Sequence, residues 1–300
     1  MTGPGGSVSG AGDDAARPVP GPERSSPVPT FGDRFLARAR EHGRLCVGID
    51  PHPGLLRDWG LPVDVSGLLE FSRRCVEAFA DEACLVKPQV AFYEAFGSAG
   101  FAVLEETLAA LRGTGALVVA DAKRGDIGST MAGYARAWTD PASPLRADAV
   151  TVSPYLGVGS LAPVVEAGER TGTGVIILAA TSNPEGPQVQ GADAGGRSVA
   201  QDVVDRVSAL NAAAVARGGA GTVGVVVGAT VTDPPRLDEV GGVVLMPGVG
   251  AQGGTAADVR RIAGAAERLV SPNISRGVLA AGPDVDALRA AARDASALFR

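Results

Sequence analysis

Residues Val118–Thr130 read VVADAKRGDIGST. The apolar run Ala116–Ala120 breaks into alternating charge at Asp121 and Lys123, and then into a glycine-flanked loop holding Asp126. An apolar run without polar alternation is the signature of a strand covered on both faces. Charges and glycines at its carboxyl end mark the point where the chain leaves the sheet. Asp121 and Lys123 are two positions apart, so on an extended segment they point to the same side. Charges at the end of a buried strand are costly unless paired, and opposite signs at this spacing can satisfy one another. A purely structural ion-pair network is the plainer reading of the same residues.

Working outward, the same design recurs. Apolar runs lie at Leu45–Ile49, Leu85–Val86, Ala116–Ala120, Ala149–Val152, Gly174–Ala180, Thr222–Val227, Val243–Met246 and Leu269–Val270. Helical spacing connects them: Leu68, Leu69, Cys75, Val76 and Phe79 form one stripe, and Phe101, Leu104, Leu108 and Leu111 another. Asp64 or Ser66 is placed to cap the first. Eight buried strands alternating with helices predict an α/β fold, the (β/α)8 TIM barrel. A doubly wound open sheet is the alternative that the alternation leaves. A chain of 300 residues accommodates a barrel of about 250 with a tail. Residues 1–30 hold 16 Gly, Pro and Ser, too little apolar surface to offset ordering entropy. They are expected to be a disordered, functionally silent tail, with the catalytic barrel over 31–300.

Composition narrows the partners. Net charge is −6 and aromatics are 4%, and no cluster of five or more Lys/Arg occurs. Nucleic acid and anionic membranes are therefore not expected as partners. Three cysteines (Cys46, Cys75, Cys84) and two histidines (His42, His52) fit neither a disulfide framework nor a His-rich zinc site. No apolar run reaches membrane-spanning length and no signal-peptide core is present, so the expected location is the cytoplasm.

In a barrel, residues ending the strands converge on one mouth. Here they are Asp50, Lys87, Asp121 with Lys123, Thr181-Ser182-Asn183, the loop Pro247–Gly254, and Ser275 with Arg276. Gly248–Gly253 matches a G-x-G-x-x-G pattern, but too little chain follows for a dinucleotide-binding domain, and the next strand ends without an acidic ribose ligand. Glycines before a helix starting near Thr255 instead suggest free N–H groups for a phosphate, with Arg276 as its cation.

The ensemble carries a resemblance. Asp121–Thr130 is similar to the signature of orotidine 5'-phosphate decarboxylases. GIDPHP from Gly48, VKPQ from Val86, ATSNP from Ala180, MPGVGAQGG from Met246 and NISRG from Asn273 resemble that family's bacterial type 2 branch, over roughly residues 31–300. The resemblance implies that Lys123 protonates C6 after carbon dioxide leaves and that Asp121 sits against the substrate carboxylate. Lys87 and Asp126 complete the charge network. It implies that Asp126, Ile127 and Thr130 reach into a neighbouring subunit's site across a homodimer. Asp50 matches a ribose ligand and Ser182 a reader of the pyrimidine. Pro247 and Gln252 match the lid, and Ser275 and Arg276 belong to the substrate-binding set, Arg276 as the phosphate cation.

That chemistry is consistent with the residues present. Loss of CO2 from a pyrimidine C6 leaves a carbanion without an obvious electron sink, and the sequence carries no sign of a pyridoxal, thiamine or metal site, so no cofactor is expected. A preorganised ammonium can stabilise the charge and supply the proton. Two other readings stay open: a metal-dependent sugar-phosphate lyase or aldolase on the same barrel, and a non-catalytic nucleotide-binding protein.

Overall fold

The computed structural model describes residues 28–300 together with 1–3, 5 and 6. Most of the segment expected to be a disordered tail, residues 4 and 7–27, lies outside the described residues. Eight parallel strands close into a barrel in sequence order. They are β1 (Cys46–Ile49), β2 (Leu85–Pro88), β3 (Leu117–Arg124), β4 (Ala149–Val152), β5 (Gly174–Ala180), β6 (Val223–Val227), β7 (Val244–Met246) and β8 (Val270–Ile274). β8 returns to β1 through Cys46↔Asn273 and Val47↔Ile274, so the fold is the (β/α)8 barrel and not the open sheet.

Two strands run further than their apolar runs. β3 continues through the charged Asp121 and Lys123 to Arg124, and β8 through Ser271 and Asn273 to Ile274. In both, polar side chains occupy positions that face the barrel axis, where hydrophobicity gives no signal. One connection departs from the strand–helix alternation: among the described residues, no helix lies between Val227 and Val244. Pro234 and Pro235 fall in that stretch, where missing N–H groups and restricted backbone disfavour a helix. The buried Asn211 ties the segment down instead, donating from Nδ2 to Val223 O and Val240 O, each at 2.8 Å.

Both faces of the strands are apolar for different reasons. Outward residues such as Val47, Val86, Val118 and Val150 pack with the helices. Val65–Phe79, capped by Asp64 accepting from Ser66 N and Gly67 N, contributes Leu68, Phe71, Cys75 and Phe79 to that layer. Inward residues form a separate core of Cys46, Leu85, Leu117, Val119, Ala149 and Ile176, with Val226, Val243 and Leu245. Phe31 and Phe35 of the helix Phe31–His42 join it and close the amino-terminal end. Thr30 caps this helix and donates to Ala220 O at 2.6 Å.

From that inner core, two-residue steps toward the carboxyl ends lead from Cys46 to Gly48 and Asp50, from Leu85 to Lys87 and Gln89, from Val119 to Asp121, and from Ala149 to Thr151. The period of two thus carries the interior from an apolar floor to a polar mouth. All three cysteines are buried and unpaired. Among the described residues, no helix is long and apolar enough to cross a membrane.

Candidate active site

At the carboxyl rim the interior opens into a cleft of about 240 Å³. Leu178, Val226 and Leu245 supply apolar lining, Asp50, Lys87, Asp121 and Lys123 the charges, and Pro247, Gln252, Ser275 and Arg276 complete the rim.

The four charges form one alternating chain. Lys87 Nζ lies 3.8 Å from Asp50 Oδ1 and 3.0 Å from Asp121 Oδ2. Lys123 Nζ donates to Asp121 Oδ1 at 2.6 Å. Lys87 is 3% exposed and Asp121 8%, so neither charge could persist unpaired. Burial opposes ionisation of Asp121, but Lys87 and Lys123 outweigh it and hold the carboxyl well below its ordinary range. Burial likewise opposes the Lys87 charge, and Asp121 and Asp50 outweigh it, raising that ammonium above its ordinary value. Lys123 is the chain's outer end, its side chain 45% exposed.

Asp121 and Lys123 meet as the spacing predicts, but not by simple strand alternation. Lys123 has φ +48°, in the left-handed region that a non-glycine residue enters at a cost of order 1–3 kcal/mol. The β3–β4 register shifts between Ala120 and Arg124. Thr151 meets both sides of this distortion: its Oγ1 accepts from Lys123 N at 3.0 Å and donates to Asp121 Oδ1 at 2.8 Å.

Asp50 Oδ1 is buried with no hydrogen-bond partner, a costly state for an acceptor. Ser275 reaches across β1 at Gly48, where a Cβ would collide with its hydroxyl. Ser182 does not line the cleft itself; its Oγ donates to Gln252 Oε1 at 2.7 Å. The glycine loop uses some of its N–H groups internally and leaves others free. Gly250 N bonds to Gly254 O, Gly253 N to Gly250 O and Gly254 N to Gly248 O. The positive φ of Gly248, Gly250 and Gly253 allows this self-bonded turn. Thr255 and Asp258 close a capping box over the next helix start. The N–H groups of Ala251 and Gln252 remain without a protein acceptor among the described residues.

Asp126, Ile127 and Thr130 are not brought into their own chain's cleft. Asp126 Oδ1 accepts from Ile127 N at 2.8 Å, and the Ile127 side chain stands in solvent. Conversely, the cleft uses residues to which the sequence reading gave no role. Gln89 Oε1 accepts from Lys87 Nζ at 3.0 Å, Asn273 Nδ2 donates to Cys46 O at 3.0 Å, and Thr151 acts as described. Gln89 and Asn273 follow the inward period from Lys87 and Ser271. Thr151 is the lone hydroxyl in an apolar run. Among the described residues, no group of three or more His, Cys, Asp or Glu is gathered as a metal site.

The sequence profile of the orotidine 5'-phosphate decarboxylase / HUMPS family matches residues 43–291. The chain belongs to this family. Orotidine 5'-phosphate decarboxylase of Corynebacterium glutamicum (strain R) is 65% identical over 257 residues, covering 85% of this chain and 92% of that protein. That of Corynebacterium efficiens is 64% identical over 271 residues, covering 90% and 97%. Among solved structures, a Streptomyces avermitilis protein provisionally assigned as an orotidine 5'-phosphate decarboxylase superposes with TM-score 0.88 at 52% identity, over 92% of this chain and 97% of that one.

Proposed function

We infer that the protein is a carboxy-lyase that converts orotidine 5'-phosphate to UMP and carbon dioxide in pyrimidine synthesis. The observation that carries this reading is the alternating chain Asp50–Lys87–Asp121–Lys123, whose inner members are buried and whose outer ammonium reaches into the cleft. Lys87 holds Asp121 ionised, and the Asp121 carboxylate stands against the carboxylate of the substrate. The bond from C6 to that carboxylate breaks, CO2 departs, and the electron pair stays on C6. The Lys123 ammonium lies beside the developing charge and transfers a proton to it. Solvent then reprotonates the amine. The reading requires no cofactor.

The remaining residues bind what does not react. Asp50 Oδ1, lacking a partner, accepts from a ribose hydroxyl. Arg276 and the N–H groups of Ala251 and Gln252 take the phosphate, with Ser275 beside them. Pro247 and the Ser182–Gln252 pair meet the pyrimidine. Binding energy from phosphate and ribose orients the base for a step they do not touch.

Asp126, Ile127 and Thr130 serve the site of a second copy in a homodimer. Exposed apolar side chains on the carboxyl-end loops favour such a contact: Ile127 is 60% exposed, Leu156 54% and Tyr155 81%. The enzyme acts in the cytoplasm, and its catalytic unit is residues 31–300; a chain starting near Pro29, which keeps the Thr30 cap, should retain its activity. The test is direct. Full-length protein is mixed with orotidine 5'-phosphate and the loss of orotate absorbance is followed, with and without a chelator. Chelator-insensitive turnover is expected. No turnover overturns the reading, and turnover lost on chelation points to a metal-dependent lyase.

A further inference from the structure

We propose that the amino-terminal face of the barrel, away from the catalytic mouth, carries a second anion site built by Arg34, Arg112 and Arg146 and suited to a small phosphate-type oxyanion. A cleft of about 310 Å³ lies between the first helix and the turns that lead into β3, β4 and β5. Three guanidinium groups line it against one carboxylate, Asp148.

That carboxylate is already spent. Asp148 Oδ1 accepts from Arg34 Nη1 at 2.6 Å, and Oδ2 accepts from Val118 N at 2.9 Å. Arg34 Nη2 donates to Gly172 O at 2.8 Å, while its Nε is buried without an acceptor. Arg112 is anchored by Nη1, which donates to Arg146 O at 2.7 Å and Pro144 O at 3.2 Å. The Arg146 guanidinium has no acceptor among the described residues. A fourth cation, Arg38, lies against Gly115 in the cleft wall, where a Cβ would collide with it, and its Nε is also buried and unpartnered.

A chain of net charge −6 thus lines this cleft with three guanidinium groups and one carboxylate, with Arg38 behind Gly115 in its wall. Burial, and then the proximity of Arg146, depresses the Arg112 pKa, a repulsion that a bound anion would relieve. Buried donors without acceptors call for a water or an ion. The guanidinium fork matches paired phosphate oxygens. No aromatic side chain lines the cleft, so nothing stacks a base. Thr139 and Thr171 donate back to Ala135 O and Ala167 O. The lining therefore favours inorganic phosphate or a simple phosphoester over a nucleoside.

The test titrates inorganic phosphate calorimetrically into the full chain and into Arg146→Gln, Arg276→Ala and the double variant. Arg146 makes no side-chain bond in the fold, so Arg146→Gln should keep the melting temperature and the turnover. Binding at this site should weaken tenfold or more in Arg146→Gln and persist in Arg276→Ala, and the double variant, impaired at both sites, should show the weakest phosphate binding of the four proteins. It should also fall as ionic strength rises. Ribose 5-phosphate as a parallel titrant separates a free anion from a phosphoester, since tighter binding of either one identifies the source. Phosphate binding unchanged by Arg146→Gln overturns the proposal, as does a loss of all phosphate binding in Arg276→Ala alone. Binding altered by Arg146→Gln but not by Arg276→Ala supports the second site and counts against the phosphate role of Arg276.

Discussion

Thr151 and Asp121, on neighbouring strands, share a buried hydrogen bond: Thr151 Oγ1 donates to Asp121 Oδ1 at 2.8 Å, beside the 2.6 Å contact from Lys123 Nζ to the same oxygen. The hydroxyl also accepts the Lys123 N–H, so one small side chain fixes both the carboxylate and the backbone of the proposed proton donor. Thr151→Val keeps the shape and removes both bonds. A hydrogen bond to a charged group contributes about 1.5–3 kcal/mol. The expected result is a fall in kcat of about tenfold to a hundredfold with KM nearly unchanged, and recovery in Thr151→Ser. Equal kcat in Thr151→Val would show that the four charges hold themselves in place.

Lys123 carries the proton in the proposed reaction, and it is the most exposed of the four charges in the chain. Lys123→Ala should fold, because its side chain is half in solvent, and should still bind UMP by calorimetry. Turnover should be lost. Arg should not substitute, since its planar group does not release a proton at neutral pH. Near-normal kcat in Lys123→Ala removes it from the donor role.

The buried pair predicts a pH signature in stability. The Asp121 carboxyl is held well below its ordinary value by Lys87 and Lys123, which outweigh burial. A depressed carboxyl stabilises the fold above the unfolded pKa of about 3.9, and that contribution is lost as pH falls through the folded value. Lys87 is raised, so its contribution is complete below about pH 10.4 and is lost only above that. Urea unfolding of the native chain and Asp121→Asn should therefore differ by a constant amount from pH 5 to 9. The gap should narrow below about pH 4. Parallel curves down to pH 3 would mean that Asp121 is not ionised in the fold.

How far the sequence revealed this site depended on which face of a strand carried the signal. Asp50, Lys87 and Asp121 stand out because a charge follows an apolar run. Thr151 does not, because a threonine within Ala149–Val152 has ordinary strand chemistry and its inward direction is set only when the barrel closes. The inward direction of Ser271 and Asn273 is not legible from hydrophobicity, because the apolar run stops at Val270 while the strand continues with polar groups. The missing helix between β6 and β7 was legible in Pro234 and Pro235 but masked by the regularity of the other connections. The left-handed Lys123 has no sequence signal; it follows from the register shift against β4. The local hydrogen bonds inside the glycine loop involve the N–H groups of Gly250, Gly253 and Gly254, and the G-x-G-x-x-G spacing does not tell which of its N–H groups stay free.

Arg276 begins the short helix Arg276–Leu279 at the cleft rim, two residues past the strand position where Ile274 pairs with β1. Its proposed partner is the substrate phosphate. Arg276→Ala should lower kcat/KM by the equivalent of several kcal/mol, as an order of magnitude for a charge-assisted contact. Orotidine without its phosphate should be turned over equally slowly by both proteins. Equal losses on the two substrates would mean that Arg276 supports the rim and does not hold the anion.

Asp126 poses the question of the second subunit. In its own chain it accepts from Ile127 N and does not line the cleft, while Lys123 contacts Asp121 of its own chain and has a half-exposed side chain. A symmetry-related copy would supply a carboxylate to that ammonium without further sequence. Lys123→Ala and Asp126→Ala are prepared separately, each expected to be nearly inactive, then unfolded, mixed in equal amounts and refolded. If Asp126 acts across the interface, each heterodimer holds one site with both defects and one with neither. Half the dimers are mixed and half of their sites are intact, so roughly a quarter of native activity returns by two-fold symmetry. If Asp126 serves its own chain, every site keeps a defect and activity stays at the level of the single variants. Absence of recovery, with heterodimers verified by a mass tag on one chain, rejects the shared site and leaves the assignment of Lys123 standing.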